Sequence, residues 1–154
     1  MNDKSKIEWF EPIFFLFFGV FHLHRIWGLF DRNNYSQFWL SIMGNRGCYF
    51  YVSMLLLTLF CIAGIAIFVK NKRNNYWWRW FYLFGGMYLL FDLVAITIRL
   101  EIWEKMIYQM FDVTNRYWNI IWGGFFVLGL VSLIIGISIA KERRKFRRTY
   151  SRPA

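Results

Sequence analysis

The sequence predicts an all-α membrane protein, a four-transmembrane-helix bundle with both termini cytoplasmic and short amphipathic segments in the outer loops. Three observations carry that expectation. The 154 residues are 58% hydrophobic and 23% aromatic but only 18% charged. A soluble domain of this size hides only about two-thirds of the surface its unfolded chain exposes, too little to cover so much apolar area. Four stretches reach the roughly 20 apolar residues that a hydrocarbon core of about 30 Å requires. The 19 Lys and Arg residues are also spread unevenly about those stretches, as the positive-inside rule requires of a cytoplasmic flank. An ordinary soluble globule and a disordered chain are thereby excluded, and the two cysteines, Cys48 and Cys61, make no disulfide framework.

The first span is expected over residues 12–30. It opens with an unbroken apolar run, Ile13–Phe21, and is interrupted in its second half by His22, His24 and Arg25. An arginine at a helix centre costs about 2.5–3.5 kcal/mol on insertion. The preceding run offsets that, and Arg25 lies near enough to the end to reach the interface. Lys4 and Lys6 precede the run as in a signal peptide, but no small-x-small cleavage site follows, so an uncleaved span is expected. The second span, 48–69, carries no charge. The polar segment Lys70–Asn75 then predicts a tight turn and an antiparallel hairpin with the third span, 76–98. That span opens on Tyr76, Trp77, Trp78 and Trp80, residues suited to the headgroup level. It holds Arg79 near its start and Asp92 well inside. The fourth span, 118–140, is again uncharged. A β-barrel is excluded because Ile13–Phe21 and Met54–Val69 do not alternate apolar with polar residues.

With the N-terminus inside, the inner segments hold Lys4, Lys6, Lys70, Lys72, Arg73, Arg79 and the basic tail, most of the Lys and Arg in the chain. The acidic residues divide almost evenly between the two sides. Both outer loops repeat apolar residues near helical spacing. The second sets Glu101, Glu104 and Lys105 among Ile102, Trp103, Met106 and Ile107. It predicts either a short amphipathic helix on the outer interface or a helical extension of the third span.

Asp92 is the most informative position, because an intramembrane carboxylate is costly and by default has a partner. At 1.5 Å per residue, Asp92 and Arg25 reach similar depths on the third and first spans. His22 shares a face with Arg25, and Arg99 shares one with Asp92. A polar cluster of His22, Arg25, Asp92 and Arg99 is therefore expected, with His24 alongside and pointing elsewhere. It is either a proton- or anion-responsive site opening outward, or a buried ion pair that fixes how spans one and three dock. In the fourth span Gly129, Ser132, Gly136 and Ala140 form a small-residue stripe. Gly85, Gly86, Ala63, Gly64 and Ala66 are the expected counterparts, for packing within the bundle or for docking a second copy or a larger membrane partner. The tail, 141–154, carries Lys141, Arg143, Arg144, Lys145, Arg147 and Arg148. It is expected to meet anionic lipid headgroups, at about 1 kcal/mol per basic residue, and not nucleic acid.

No cofactor or metal is expected. Two histidines two apart on one helix cannot face each other across a haem, and the cysteines lie on another helix from them. A lone intramembrane aspartate lacks the second carboxylate of an aspartyl protease, and no phosphate-binding glycine loop is present. The leading expectation is thus a small non-enzymatic accessory, immunity or regulatory partner. A small oligomeric transporter or channel, and an intramembrane enzyme acting on lipid or quinone, are the alternatives. The abundance of Phe, Asn, Ile and Tyr fits AT-rich coding, which places the expected location in the cytoplasmic membrane of a bacterium.

Overall fold

The computed structural model describes residues 7–71 and 76–150, with 146–150 as backbone. Lys4, Lys6, Lys72 and Arg73 lie outside the described residues, as do the side chains of Arg147 and Arg148. The fold is all-helical, with no strand among the described residues. Its elements are α1 (Phe10–Leu23), α2 (Arg25–Phe30), α3 (Arg32–Asn45), α4 (Cys48–Lys70), α5 (Arg79–Thr97), α6 (Glu101–Met110) and α7 (Trp118–Tyr150). Four segments are long and apolar enough to cross a membrane: Phe10–Phe30, Cys48–Lys70, Arg79–Thr97 and Trp118–Lys145. The chain is therefore a small multi-pass membrane protein.

Two antiparallel hairpins make the bundle. One pairs α1 and α2 with α7, the other pairs α4 with α5. The α1–α7 seam is the closer one, and glycines make it so. A Cβ on Gly19 would stand 2.9 Å from the Gly129 carbonyl oxygen, and one on Gly136 would stand 3.1 Å from the Leu16 backbone nitrogen. Small residues at such crossings let backbones touch, which matters in lipid because apolar burial alone does not hold helices together there. The stripe Gly129, Ser132, Gly136 thus packs on α1. Of its expected counterparts, Gly64 and Gly86 lie in a helix contact, and it is the one between α4 and α5: Gly64 lies against Tyr82, and Gly86 against Ile65 and Cys61, while Gly85 meets nothing within 4 Å and Ala66 is exposed. Ala140 is half-buried beside the stripe.

The hairpins meet at the end of the bundle where α1 and α5 start. Phe14 stands edge-on to Tyr82 at 4.9 Å and stacks on Phe60 at 5.5 Å. A core of Ile7, Phe15, Trp78, Tyr82 and Ile139 closes this end. We call it the terminal end, and the opposite one the loop end. At the loop end α2, α3, α6 and the start of α7 enclose a second core of Tyr35, Phe111, Trp118 and Trp122. Ser36 Oγ donates to the Phe111 carbonyl at 2.6 Å, and Trp118 Nε1 to the Gly28 carbonyl at 2.7 Å.

Local chemistry explains the boundaries. The first span is broken at His24, whose imidazole Nδ1 lies against the Phe21 carbonyl oxygen, the acceptor that an unbroken helix would give to the Arg25 N–H. Asp31 caps α3 by accepting from the Asn34 N–H at 3.2 Å. Asp31→Ala should cost about 1 kcal/mol, the usual loss for an N-cap, seen as faster amide exchange confined to α3. Arg99, at φ 57°, ends α5 in the left-handed region, and the Leu100 N–H reaches back to the Ala95 carbonyl at 2.9 Å. The pattern is that of a Schellman cap. The segment expected as the second outer loop is therefore a separate helix, α6, and not an extension of α5. The helix begun at Trp118 runs on through Tyr150, so the basic tail continues the fourth span without a break.

Candidate functional site

Three polar constellations lie within the spans. At the terminal end Glu11 and Arg79 are both 0% exposed. Arg79 Nη2 donates to Glu11 Oε1 at 2.6 Å and Arg79 Nε to Oε2 at 3.0 Å. Trp78 Nε1 adds a bond to Oε2 at 3.0 Å, and the Glu8 N–H one to Oε1 at 2.8 Å. The Arg79 guanidinium also lies 5.1 Å from the Tyr76 ring centroid. Both carboxylate oxygens thus take two donors each, and the fork of the arginine matches the carboxylate plane. This arrangement clamps α1 to α5. The sequence reading placed Glu11 on the inner flank and Arg79 merely near a span start. The signal that could have joined them is their opposite charge at the same membrane level, each embedded in aromatic residues.

The second constellation is at the break between α1 and α2. Arg25 Nη1 donates to the Tyr35 hydroxyl at 2.6 Å. Its Cζ lies 5.0 Å from the Trp122 ring, 5.3 Å from Trp39, 5.5 Å from Phe21 and 5.7 Å from Phe125. His22, only 6% exposed, stacks parallel on Phe125 at 5.5 Å. His24 Nε2 stands 3.4 Å from the Tyr35 hydroxyl. Burial pushes the Tyr35 phenol above its ordinary range, against an opposing pull from Arg25, so it stays a neutral hydroxyl. Four buried nitrogens here have no hydrogen-bond partner: His22 Nδ1, Arg25 Nε, Trp39 Nε1 and Trp122 Nε1.

The third is on α5. Trp103 Nε1 of α6 donates to Asp92 Oδ1. Tyr88, one turn earlier and midway along Arg79–Thr97, is 60% exposed, and its hydroxyl has no partner among the described residues. Gly85 beside it has nothing within 4 Å of where a Cβ would sit.

The expected cluster is therefore divided. His22, His24 and Arg25 lie together, but no ion pair joins Arg25 to Asp92 among the described residues, and Arg99 stays exposed, 4.0 Å from Glu104. The physical reason is azimuth. Residue counting gives only an expected depth, and α2 turns Arg25 toward α7 and α3, where aromatic rings receive the guanidinium, while Asp92 finds an indole on α6. Arg46, not singled out from the sequence, caps the end of α5 through the Ile96 and Thr97 carbonyls and pairs with Glu104 at 3.3 Å. It lines a small open cleft of about 30 Å³ with Met43, Ile107 and Tyr108. In the tail, Lys141, Arg144 and Lys145 are exposed and Arg143 is half-buried. Among the described residues no three His, Cys, Asp or Glu side chains converge as metal ligands would. No family model, no curated protein and no solved structure matches the chain.

Proposed function

We propose that the chain is a non-enzymatic partner subunit of a bacterial cytoplasmic membrane, docking a transmembrane helix of a second protein along the outward face of α5. The observation that carries this is the Tyr88 hydroxyl, which faces outward at mid-span with nothing to bond. A hydroxyl left without a partner in an apolar medium costs about 1–3 kcal/mol on protein scales, and lipid tails offer none. Gly85 leaves a notch beside it, suited to the close approach of another backbone. Asp92, one turn on, has a single side-chain bond and no cation beside it among the described residues. The fitting partner is a helix with a hydrogen-bond acceptor level with Tyr88 and a basic residue level with Asp92. In this reading the terminal end is cytoplasmic and Lys141, Arg143, Arg144 and Lys145 rest on anionic headgroups, as the bias of Lys and Arg supports.

A photo-crosslinker placed at Phe84, exposed on the same face, should capture one other membrane protein in native membranes. Gly85→Leu should abolish that capture, and Tyr88→Phe should weaken it, while expression is kept. Capture of lipid alone or of a second copy would overturn the proposal. So would a chain that purifies alone in mild detergent and moves a solute in liposomes.

A further inference from the structure

We infer that the aromatic cage around Arg25 holds a small monovalent anion of chloride size. Arg25 is a permanent cation inside a membrane-spanning segment. The structure gives it a tyrosine hydroxyl and four ring faces but no carboxylate among the described residues. Tyr35 stays neutral, so it does not supply the missing charge. Three nitrogens that can only donate, Arg25 Nε of the guanidinium itself and Trp39 Nε1 and Trp122 Nε1 beside it, are buried without a partner in hydrogen-bonding geometry among the described residues, the Trp39 indole lying near enough to the Tyr35 hydroxyl to act on it. His22 Nδ1 is the fourth, and it donates in one tautomer. Buried donors in native proteins almost always have an acceptor, so this group of orphans requires an occupant.

The chemistry of that occupant follows from what is absent. The nearby acceptors are already engaged: the Phe21 carbonyl by His24, and the Tyr35 hydroxyl by Arg25. A water molecule accepts two hydrogen bonds and must place two of its own, and it leaves the charge of Arg25 unbalanced. An anion accepts from every direction and neutralises the charge. The rings also suit both ions, since an aromatic face is negative and its edge positive. Faces toward the guanidinium leave edges and indole N–H groups for an anion. The four ring centroids stand only 5.0–5.7 Å from the guanidinium carbon, so the occupant is monatomic and not a phosphate or a lipid headgroup.

The full-length protein in mild detergent, exchanged into sodium gluconate, is the starting point. Adding chloride at constant ionic strength should raise Tm saturably, and bromide should do the same while quenching tryptophan fluorescence. Chloride NMR lines should broaden in the presence of the protein and sharpen again when bromide is added. The double variant Trp39→Phe/Trp122→Phe keeps both rings and removes both N–H groups. It should lose about tenfold or more in chloride affinity per indole, the scale of a charge-assisted hydrogen bond. A Tm equal in chloride and gluconate would overturn the inference. So would an absence of bromide-sensitive line broadening, which is read on the unmodified chain and does not depend on the variant folding. An unchanged chloride affinity in the double variant would overturn it as well. Phosphate competing as well as bromide would refute the monatomic occupant.

Discussion

Replacing Glu11 by alanine should destabilise the protein by about 3–5 kcal/mol, the cost of leaving one member of a buried ion pair uncompensated. Both side chains are fully enclosed, so neither water nor a lipid headgroup can take the place of the lost carboxylate. The indole N–H of Trp78 and the Arg79 guanidinium would each lose an acceptor in the same step. The consequence is localised by the fold. Glu11 is where α1 grips α5, so the hairpins should part at the terminal end while each stays paired internally. Thermal melts in detergent should fall steeply for Glu11→Ala and Arg79→Ala. The edge-on contact between the Phe14 and Tyr82 rings, 4.9 Å between centroids, should be lost in either variant, read as the disappearance of their mutual aromatic NOE. Glu11→Leu/Arg79→Leu together should recover part of the loss, since an apolar replacement of a whole buried pair is often neutral. By contrast Glu101→Ala, in a pair with Lys105 that stands in the open at 71% and 82% exposure, should change Tm hardly at all. If Glu11→Ala melts like the wild type, the pair does not hold the hairpins together.

The contrast between Glu11 and Asp92 shows what the amino-acid order reveals in a membrane protein. The four spans were legible because length and apolarity are one-dimensional properties: a bilayer reads them residue by residue. The hairpin of α4 and α5 follows from a short polar turn in the same way. The helical character of the segment between the third and fourth spans was legible from its periodicity. Its independence from α5 was not, because that depends on Arg99 taking a left-handed backbone, for which no glycine or asparagine gave notice. Counting residues gives Arg25 and Asp92 one expected depth. Which way each helix turns was not legible, because the aromatic-rich spans present phenylalanine or tryptophan on nearly every face. With so little contrast between faces, the packing is decided by glycine positions. Gly19 meets Gly129, α1 therefore rolls onto α7, and Arg25 is carried away from α5. Glu11 went unnoticed for the complementary reason. At the edge of a span a carboxylate reads as a solvated flank, and only the fold shows that it is sealed.

Filling the α1–α7 seam should then be the second large effect. A Cβ on Gly129 would stand 2.9 Å from the His22 Cβ and 3.0 Å from the Gly19 carbonyl oxygen, and one on Gly19 would stand 2.6 Å from Leu133 Cγ. Leu133 can swing aside, but the Gly19 and Gly129 carbonyls are backbone, so the helices themselves must separate. Overpacking of this kind costs about 1–3 kcal/mol. Gly129→Ala should lower Tm accordingly, and Gly129→Leu more so. Gly85→Ala and Gly123→Ala meet nothing within 4 Å. They should raise Tm slightly, because removing a helical glycine is worth about 0.5–1 kcal/mol. The ordering separates packing from propensity, since propensity alone would make all the alanine variants stabilising. Gly129 also touches His22, which stacks on Phe125, which in turn lies against Arg25. The Gly129 variants should therefore weaken chloride binding at the loop end while leaving the Glu11–Arg79 clamp intact. Loss of the clamp in those variants, read by the Phe14–Tyr82 ring contact, would mean that the two ends of the bundle are not independent.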